Sequence, residues 1–509
     1  MTEGKSSEND AILRAHDERI LRGGLLNAAT LLSLSTIGVR IVVLGSTAIL
    51  ARVLHPADYG VVALATTVIG LLDVITNLQV SGSLIRSQQV DRDKLCSAFT
   101  INSLRGLFAA IVIFTLANQF ASLLGDFRVA PILRVLSLVP LFGGLQNPVF
   151  ILYERKLQFL PEITRLFLAN IAGALASISV AFAYHSYWAL VLSTLIIAFV
   201  QLLVTYWRVP IVVGVSFSAF KEMFGFGGWL ALVSIVEYFN AKMDVLLVGR
   251  GLGAALLGQY QAGGQIVGAA TGDIVTPLVR AIFPSLALSN GPAELREKYI
   301  RIQPVILSLA LPMGMGLSAL APESVFLILG HGWPQAIPVV RVVGPLLALQ
   351  TMLATVDAVA MATGQTRKLF QRTMTVIVVR AGFLLLGYYL GGYMGLIYAR
   401  VFSATFYLIY GLQLASRLTR TPLLGPIVNS WRSLAAASFM YLILQLGEFR
   451  FPSDTEVGVE LITVFATRIA LGAVTYLGAH YLLWSFSGRP EGAETVLIGR
   501  IKSLVKRPR

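Results

Sequence analysis

The chain has 509 residues, of which 56% are hydrophobic and only 13% charged, and its 40 Lys+Arg exceed its 26 Asp+Glu for a net charge of +14. A soluble protein carries about 25% charged residues, so this composition excludes one and points to a membrane protein. A single cysteine, Cys96, rules out an intramolecular disulfide, and five scattered histidines offer no metal-ligand spacing, so neither a metal nor a nucleic-acid partner is expected.

Residues 1–23 lack the short apolar core and small-residue cleavage site of a secretory signal, so the first hydrophobic helix is expected to direct insertion, with nothing removed. Apolar runs of about 20 residues or more then follow one another. Six helices are predicted over 24–52, 59–85, 95–122, 129–153, 159–183 and 186–206. Six more are predicted over 222–249, 254–283, 299–320, 334–362, 369–390 and 393–416, and a last pair over 426–446 and 459–484 makes fourteen. Of the 40 basic residues only Arg52, Arg128, Arg250 and Arg450 fall in odd-numbered loops, so both termini are expected in the cytoplasm. The tail at 486–509 alternates basic and apolar residues, a pattern that suits anionic headgroups and solvent about equally.

The chain repeats itself. Arg52, Leu54, Ala57 and Gly60 return as Arg250, Leu252, Ala255 and Gly258, a shift of 198, and Asp73-Val74-Ile75-Thr76 returns as Asp273-Ile274-Val275-Thr276, a shift of 200. A weaker echo pairs Arg155-Lys156-Leu157 with Arg367-Lys368-Leu369. With six helices per unit the two copies have the same polarity, which predicts two lobes related by an axis along the membrane normal, with a substrate site between them. The expected organisation is an all-α integral membrane protein of 14 transmembrane helices, two parallel-repeat six-helix lobes around a central cavity plus two appended helices. Its parts are a cytoplasmic segment (1–23), an N-lobe (24–207), a linker (208–221), a C-lobe (222–416), helices 13 and 14 (417–485) and a basic tail (486–509). The repeated loop itself reads as a turn, with Arg52 and Arg250 anchoring to headgroups.

Several stretches taken in order resemble one family: LARVLHPADYGVVAL (50–64), GSLIRSQQVDRDKLCSAFTIN (82–102), NPVFILYERKLQF (147–159), FGFGGW (224–229), MDVLLVGRGLGAALLGQY (243–260), IFPSLALS (282–289) and GHGWPQAIPVVRVV (330–343). The chain is similar over most of its length to the Wzx-type flippases of lipid-linked oligosaccharides, in the exopolysaccharide branch of the multidrug/oligosaccharidyl-lipid/polysaccharide exporter superfamily. The resemblance implies two helical bundles around a cavity that faces cytoplasm and periplasm in turn, in a bacterial inner membrane. It implies an undecaprenyl-diphosphate-linked oligosaccharide as substrate, with a polysaccharide polymerase and a chain-length regulator as associated proteins. The motifs assign no particular sugar. Ser81-Gly82-Ser83 departs from the family's tendency to small apolar neighbours beside the glycine.

Ionisable residues inside membrane helices cost roughly 2.5–3.5 kcal/mol at the helix centre, so they mark cavities, partners or interfaces. The basic set is Arg40, Arg105, Arg134, Lys242, Arg280, Arg341, Arg380, Arg400 and Arg468, and the acidic set is Asp73, Glu237, Asp244, Asp273 and Asp357. The surplus is positive, which suits a diphosphate, and arginine's planar fork binds phosphate oxygens bidentately. Arg40 and Arg380, near the midplane of opposite lobes, are the first candidate diphosphate ligands, with Arg105 and Arg280 in the cytoplasmic half. Arg134, Arg341 and Arg400 are secondary cavity contacts, and Arg468 reads as structural. Glu237, Asp244, Asp73 and Asp273 are candidates for coupling Na+ or H+ or for gating. Asp244 is also expected to pair near Lys242 and Arg250 at the outer end of its helix, and Asp73 and Asp273 to form bridges to neighbouring helices.

Tyr388, Tyr389, Tyr393, Tyr398, Tyr407 and Tyr410 suit interfacial anchoring more than sugar stacking. Gly264 and Gly268 form a weak helix-packing pattern, and prolines such as Pro304, Pro312 and Pro345 mark kinks. No Walker A motif, dinucleotide fingerprint or nucleophile–base set occurs, so neither an enzyme nor a cofactor is expected. The competing readings are a membrane polymerase or ligase of lipid-linked glycans, disfavoured by short outer loops, and a peptidoglycan-precursor flippase or cation-coupled drug exporter.

Overall fold

A computed structural model describes residues 38–77, 84, 91–155, 158–207, 209–211, 214–287, 289, 291–446 and 459–489; side chains at 154–155, 221–233, 273–285, 287, 362, 366 and 459 lie outside that description. Among the described residues the fold is all helix and turn, with no strand. This is what a bilayer demands, since a helix satisfies its own backbone groups where water cannot.

In the N-terminal half, α1 (38–53) leads through a tight turn into α2 (Pro56–Thr76) and then α3 (Arg92–Thr115). The short α4 (Ala117–Leu124), α5 (Val129–Leu136) and α6 (Leu138–Gly144) follow, then α7 (Ile151–Arg155), α8 (Leu160–Tyr184) and α9 (Trp188–Tyr206). The C-terminal half runs α10 (Phe220–Leu252), α11 (Ala254–Ala287), α12 (Pro292–Ala319), α13 (Ala321–Leu329), α14 (Ala336–Ala362) and α15 (Thr366–Thr419). The chain closes with α16 (Gly425–Asn429), α17 (Trp431–Leu446) and α18 (Val459–Phe486).

Eight described helices are long and apolar enough to cross a membrane, which makes this a multi-pass membrane protein. Part of the difference from the fourteen runs in the sequence falls on residues outside the described ones, and part has local causes. Predicted helix 4 is broken at Ser137 into α5 and α6. Predicted helices 11 and 12 are joined in α15, yet Gly391 and Gly392 leave helical geometry at the predicted boundary, Gly392 with φ of 54°. A Cβ at Gly387 would strike the Gly395 carbonyl, so the two arms of α15 fold back against each other. Pro304 and Pro312 lie inside α12, and Pro345 inside α14.

Helices in lipid gain little from apolar contact alone and associate through close backbone approach at small residues. Here the repeat returns as packing: Gly106 of α3 meets Gly144 of α6, its ideal Cβ 3.1 Å from the Gly144 Cα, and Gly314 of α12 meets Gly344 of α14 in the same way. Gly264 and Gly268, by contrast, face no atom within 4 Å among the described residues, and it is Gly263 that lies against Val339. One apolar cluster joins the halves, running from Val61, Leu64 and Ile113 to Val245, Leu257, Val340 and Leu396. α17 and α18 sit outside it against α12, through Ile306, Leu307, Ala437 and Met440, with the Tyr476 hydroxyl donating to the Ser308 carbonyl at 2.7 Å.

Candidate functional site

Three charged assemblies and one seam between the halves organise the interior. The deepest is built on α10, where Asp244 is buried with 3% of its surface exposed. Its carboxylate accepts from Arg380 at 2.6 Å and from the Tyr260 hydroxyl at 2.6 Å, and the Arg400 guanidinium lies 3.5 Å away. Arg380 also donates to the Asn240 side-chain oxygen at 3.2 Å, and Arg400 to the Tyr260 oxygen at 2.7 Å. One carboxylate thus serves two guanidiniums from the two arms of α15, and the cluster keeps a net positive charge. A buried carboxylate is tolerable only with such pairing. The expected partnership of Asp244 with Lys242 and Arg250 is not what forms: Arg250 turns to the other half of the chain, while α15 brings Arg380 and Arg400 inward.

Nearby, Arg372 donates to Asp357 at 2.6 Å and to the Tyr407 hydroxyl at 3.3 Å, its guanidinium 5.1 Å from the Tyr407 ring centre. Arg372 is 3% exposed, with Nε and Nη1 lacking a partner among the described residues. Glu237, on α10, is exposed. A third buried pair joins Arg468 of α18 to Glu323 of α13, a structural tie between the appended helices and the bundle. Sequence reasoning missed Arg372 and Glu323 because both fall near helix ends in the linear pattern. Tyr260 and Asn240 carried no signal beyond being polar in an apolar run.

The N-terminal half is arranged differently. Arg105 of α3 donates to Asp73 of α2 at 2.8 Å, and Arg165 grips Glu162 with two bonds of 2.6 and 2.8 Å. Both arginines line a cleft of about 340 Å³, with Asn77, Asn102, Gln146 and Glu162 around them. Each guanidinium there has a carboxylate beside it, so the cleft offers paired charges and amides. Asp73 thus bridges to a neighbouring helix. Asp273 and Arg280 lie on α11, and their side chains fall outside the described ones.

Other candidates are dispersed. Arg40 is exposed on α1, and Arg341 is exposed on α14. Arg134 donates to the Asn118 side-chain oxygen at 3.0 Å. Of the tyrosines, Tyr388 donates to the Gly251 carbonyl at 3.4 Å and Tyr393 to the Gln335 carbonyl at 2.8 Å, so both tie α15 to other elements. Tyr389 is 80% exposed.

The seam is where the repeated loops lie. α2 starts with Pro56, whose fixed φ suits a first helical position, while the His55 amide donates to Asp58 at 3.0 Å. A Cβ on Gly60 would overlap the Ala254 carbonyl, and one on Gly258 would overlap the Pro56 carbonyl. Arg52 and Arg250 are exposed, and both also bond across the seam. Arg52 donates to the Leu327 and Ile328 carbonyls at 2.6 and 3.4 Å, and Arg250 to the Ser122 carbonyl at 3.3 Å, each crossing to the opposite half. Beside them Asp126 lies in the turn after α4. Burial would raise its pKa, but hydrogen bonds from the Arg128 side chain and backbone, with the Arg128 charge, hold it below the usual carboxylate range.

Solved structures share this architecture. The lipid II flippase MurJ in its inward closed conformation superposes with a TM-score of 0.74 at 14% identity, covering 90% of this chain and 100% of that one. The MATE multidrug transporter DinF-BH gives 0.57 at 13% identity, covering 78% and 97%. In sequence, the succinoglycan biosynthesis transport protein ExoT of Rhizobium meliloti is 25% identical over 410 residues, 78% of this chain and 81% of that protein. The lipopolysaccharide biosynthesis protein WzxC of Escherichia coli is 22% identical over 302 residues, 58% of this chain and 61% of that protein. Residues 49–338 match the family described as polysaccharide biosynthesis protein, more than half of the chain, and the chain belongs to that family.

Proposed function

We propose that this protein is a flippase that carries an undecaprenyl-diphosphate-linked oligosaccharide repeat unit from the inner to the outer leaflet of a bacterial inner membrane by alternating access. One observation carries the reading: a chain of the polysaccharide biosynthesis family is folded as the lipid II flippase MurJ is, with arginines set inside the apolar helices. The product enters exopolysaccharide or lipopolysaccharide synthesis. A polymerase and a chain-length regulator act next on the exported unit.

The fourteen-span topology belongs to this proposal, with both termini cytoplasmic, an N-lobe over 24–207, a C-lobe over 222–416 and two appended helices within 417–485. The end of the bundle bearing the repeated loops is then the outer side. Arg40, Arg380, Arg105 and Arg280 are the proposed diphosphate contacts, of which Arg380 is supported by the surplus of guanidinium over carboxylate in the Asp244 cluster. Arg134, Arg341 and Arg400 are secondary contacts. The amide-lined cleft beside Arg105 suits the sugar hydroxyls, since its charges are already matched and amides both donate and accept. Coupling to Na+ or H+ is assigned to the acidic group Glu237, Asp244, Asp73 and Asp273, with Glu237 and Asp73 supported by their exposed carboxylates.

The test is genetic and chemical together. Cells lacking the protein should accumulate the lipid-linked unit on the cytoplasmic leaflet, and the wild-type chain should clear it. Arg40→Ala/Arg380→Ala, in which Arg400 still faces Asp244, should insert with reduced stability and fail to clear it; normal export by that variant overturns the assignment of the two arginines. Absence of any accumulated lipid-linked glycan in the deletion strain overturns the flippase reading itself.

A further inference from the structure

We propose that the two copies of the repeated loop are a reciprocal clasp that closes the outer face of the transporter, and that Arg52, Arg250, Gly60 and Gly258 set which face is open. The inference rests on the alternating-access reading and adds the device that holds one side shut.

The geometry is that of a two-fold contact written within one chain. Adding the repeat shift of 198 to Gly60 and Pro56 gives Gly258 and Ala254, so the contact of Gly60 with the Ala254 carbonyl maps onto the contact of Gly258 with the Pro56 carbonyl. A self-complementary patch of this kind is how symmetric partners meet. Here the partners are the two halves, and backbone touches backbone because neither glycine carries a Cβ. Between the matched positions the copies differ, His55-Pro56 in one standing against Gly253-Ala254 in the other.

The arginines follow the same exchange. Arg52 reaches the last turn of α13, which ends at Leu329, and Arg250 reaches the last turn of α4, which ends at Leu124. The final carbonyls of a helix lack intrahelical donors and carry the negative end of its dipole, so a guanidinium is their natural complement. Both helices end on a glycine of positive φ, Gly125 at 80° and Gly330 at 89°, each lying against the crossing arginine. Such carbonyls can be released at small cost only where water replaces the arginine.

The clasp is unequal. On the Arg52 side, Trp333 adds a bond from its indole nitrogen to the Ala51 carbonyl at 2.9 Å and stacks edge-on to Tyr59 at 5.0 Å. The Arg250 side has the single 3.3 Å bond to Ser122 among the described contacts. Separation then begins at Arg250 and ends at Trp333. Deeper in the seam the Tyr238 hydroxyl donates to the Thr67 carbonyl at 2.7 Å, continuing the contact along α2 and α10.

The test reads distances on both faces of the purified full-length protein in lipid nanodiscs, by electron–electron spin resonance in a Cys96→Ser background. One label pair, Phe127→Cys and Tyr389→Cys, reports the outer ends of the two halves; a second, Asp93→Cys and Lys368→Cys, reports the inner ends. Gly60→Leu/Gly258→Leu should move at least tenfold more molecules into a state with a longer outer and a shorter inner distance. Arg52→Gln/Arg250→Gln should do the same to a smaller degree and decides the matter if the leucine variant does not fold. Arg250→Gln alone should exceed Arg52→Gln alone in broadening the outer distribution. Unchanged distances on both faces in the glutamine variants, or lengthening on both, overturn the clasp. Because no cargo is present, failure here is separate from failure of the cargo assignment.

Discussion

The two halves share a helical frame but treat charge in opposite ways. In the C-terminal half, Asp244 is 3% exposed and Arg372 is 3% exposed, each locked into a hydrogen-bonded cluster with a tyrosine. In the N-terminal half the Asp73 side chain is 45% exposed and its arginine borders an amide-lined cleft. A repeat therefore preserves where helices pack, as at Gly106–Gly144 and Gly314–Gly344, while the polar groups diverge. The C-terminal clusters act as struts, because dismantling them leaves charge in a dry interior. In the N-terminal half it is the Asp73 carboxylate that stays near water, while Arg105, Arg165 and Glu162 are as covered as the C-terminal arginines.

That contrast can be broken most severely at Asp244. Asp244→Ala leaves Arg380 and Arg400 buried without a counter-ion and should cost about 3–5 kcal/mol, read as a large drop in melting temperature in detergent. An unchanged melting temperature would mean that water reaches the cluster and that the strut does not exist. Arg468→Ala should cost nearly as much through Glu323, whereas Arg468→Met/Glu323→Met should recover most of the loss, since well-packed apolar groups often replace a buried ion pair without penalty. Tyr260→Phe removes one hydroxyl between Asp244 and Arg400 and should cost about 1–3 kcal/mol.

The other half should respond in activity more than in stability. Arg105→Ala is expected to cost less stability than Asp244→Ala, because the Asp73 carboxylate it leaves behind is 45% exposed and water can solvate it, and to lower export of the lipid-linked unit. A melting loss as large as that of Asp244→Ala would erase the distinction between the halves. The smallest effect is expected at Asp126, outside the membrane helices. Its lowered pKa means that its stabilising contribution is present above the unfolded carboxylate value and is lost as pH falls through the folded one. Asp126→Asn should therefore lower the melting temperature slightly at neutral pH, leave it unchanged at low pH, and so flatten the acid limb of the melting profile.

Much of the frame was legible in the linear pattern. The break between predicted helices 11 and 12 falls at Gly391 and Gly392, and the start of α11 coincides with the predicted residue 254. Hydropathy works here because lipid leaves the backbone no alternative to helix. Partner choice was not legible. Spacing along α10 put Asp244 beside Arg250, but α15 folds back on itself and delivers Arg380 and Arg400 to the carboxylate first. For Arg52 and Arg250, nothing local in the sequence reveals that a helix terminus from the other half stands opposite.

The sequence by itself determined that this chain lives in a membrane, that it is helical, that it repeats and which family motifs it carries. These follow from composition, period and order, which act along the chain. Only the tertiary structure decided which charges meet and why the loop is written twice. Ion pairs and backbone contacts depend on the approach of distant helices, and a Gly60 that must accept the Ala254 carbonyl looks, in a string of letters, like any other glycine.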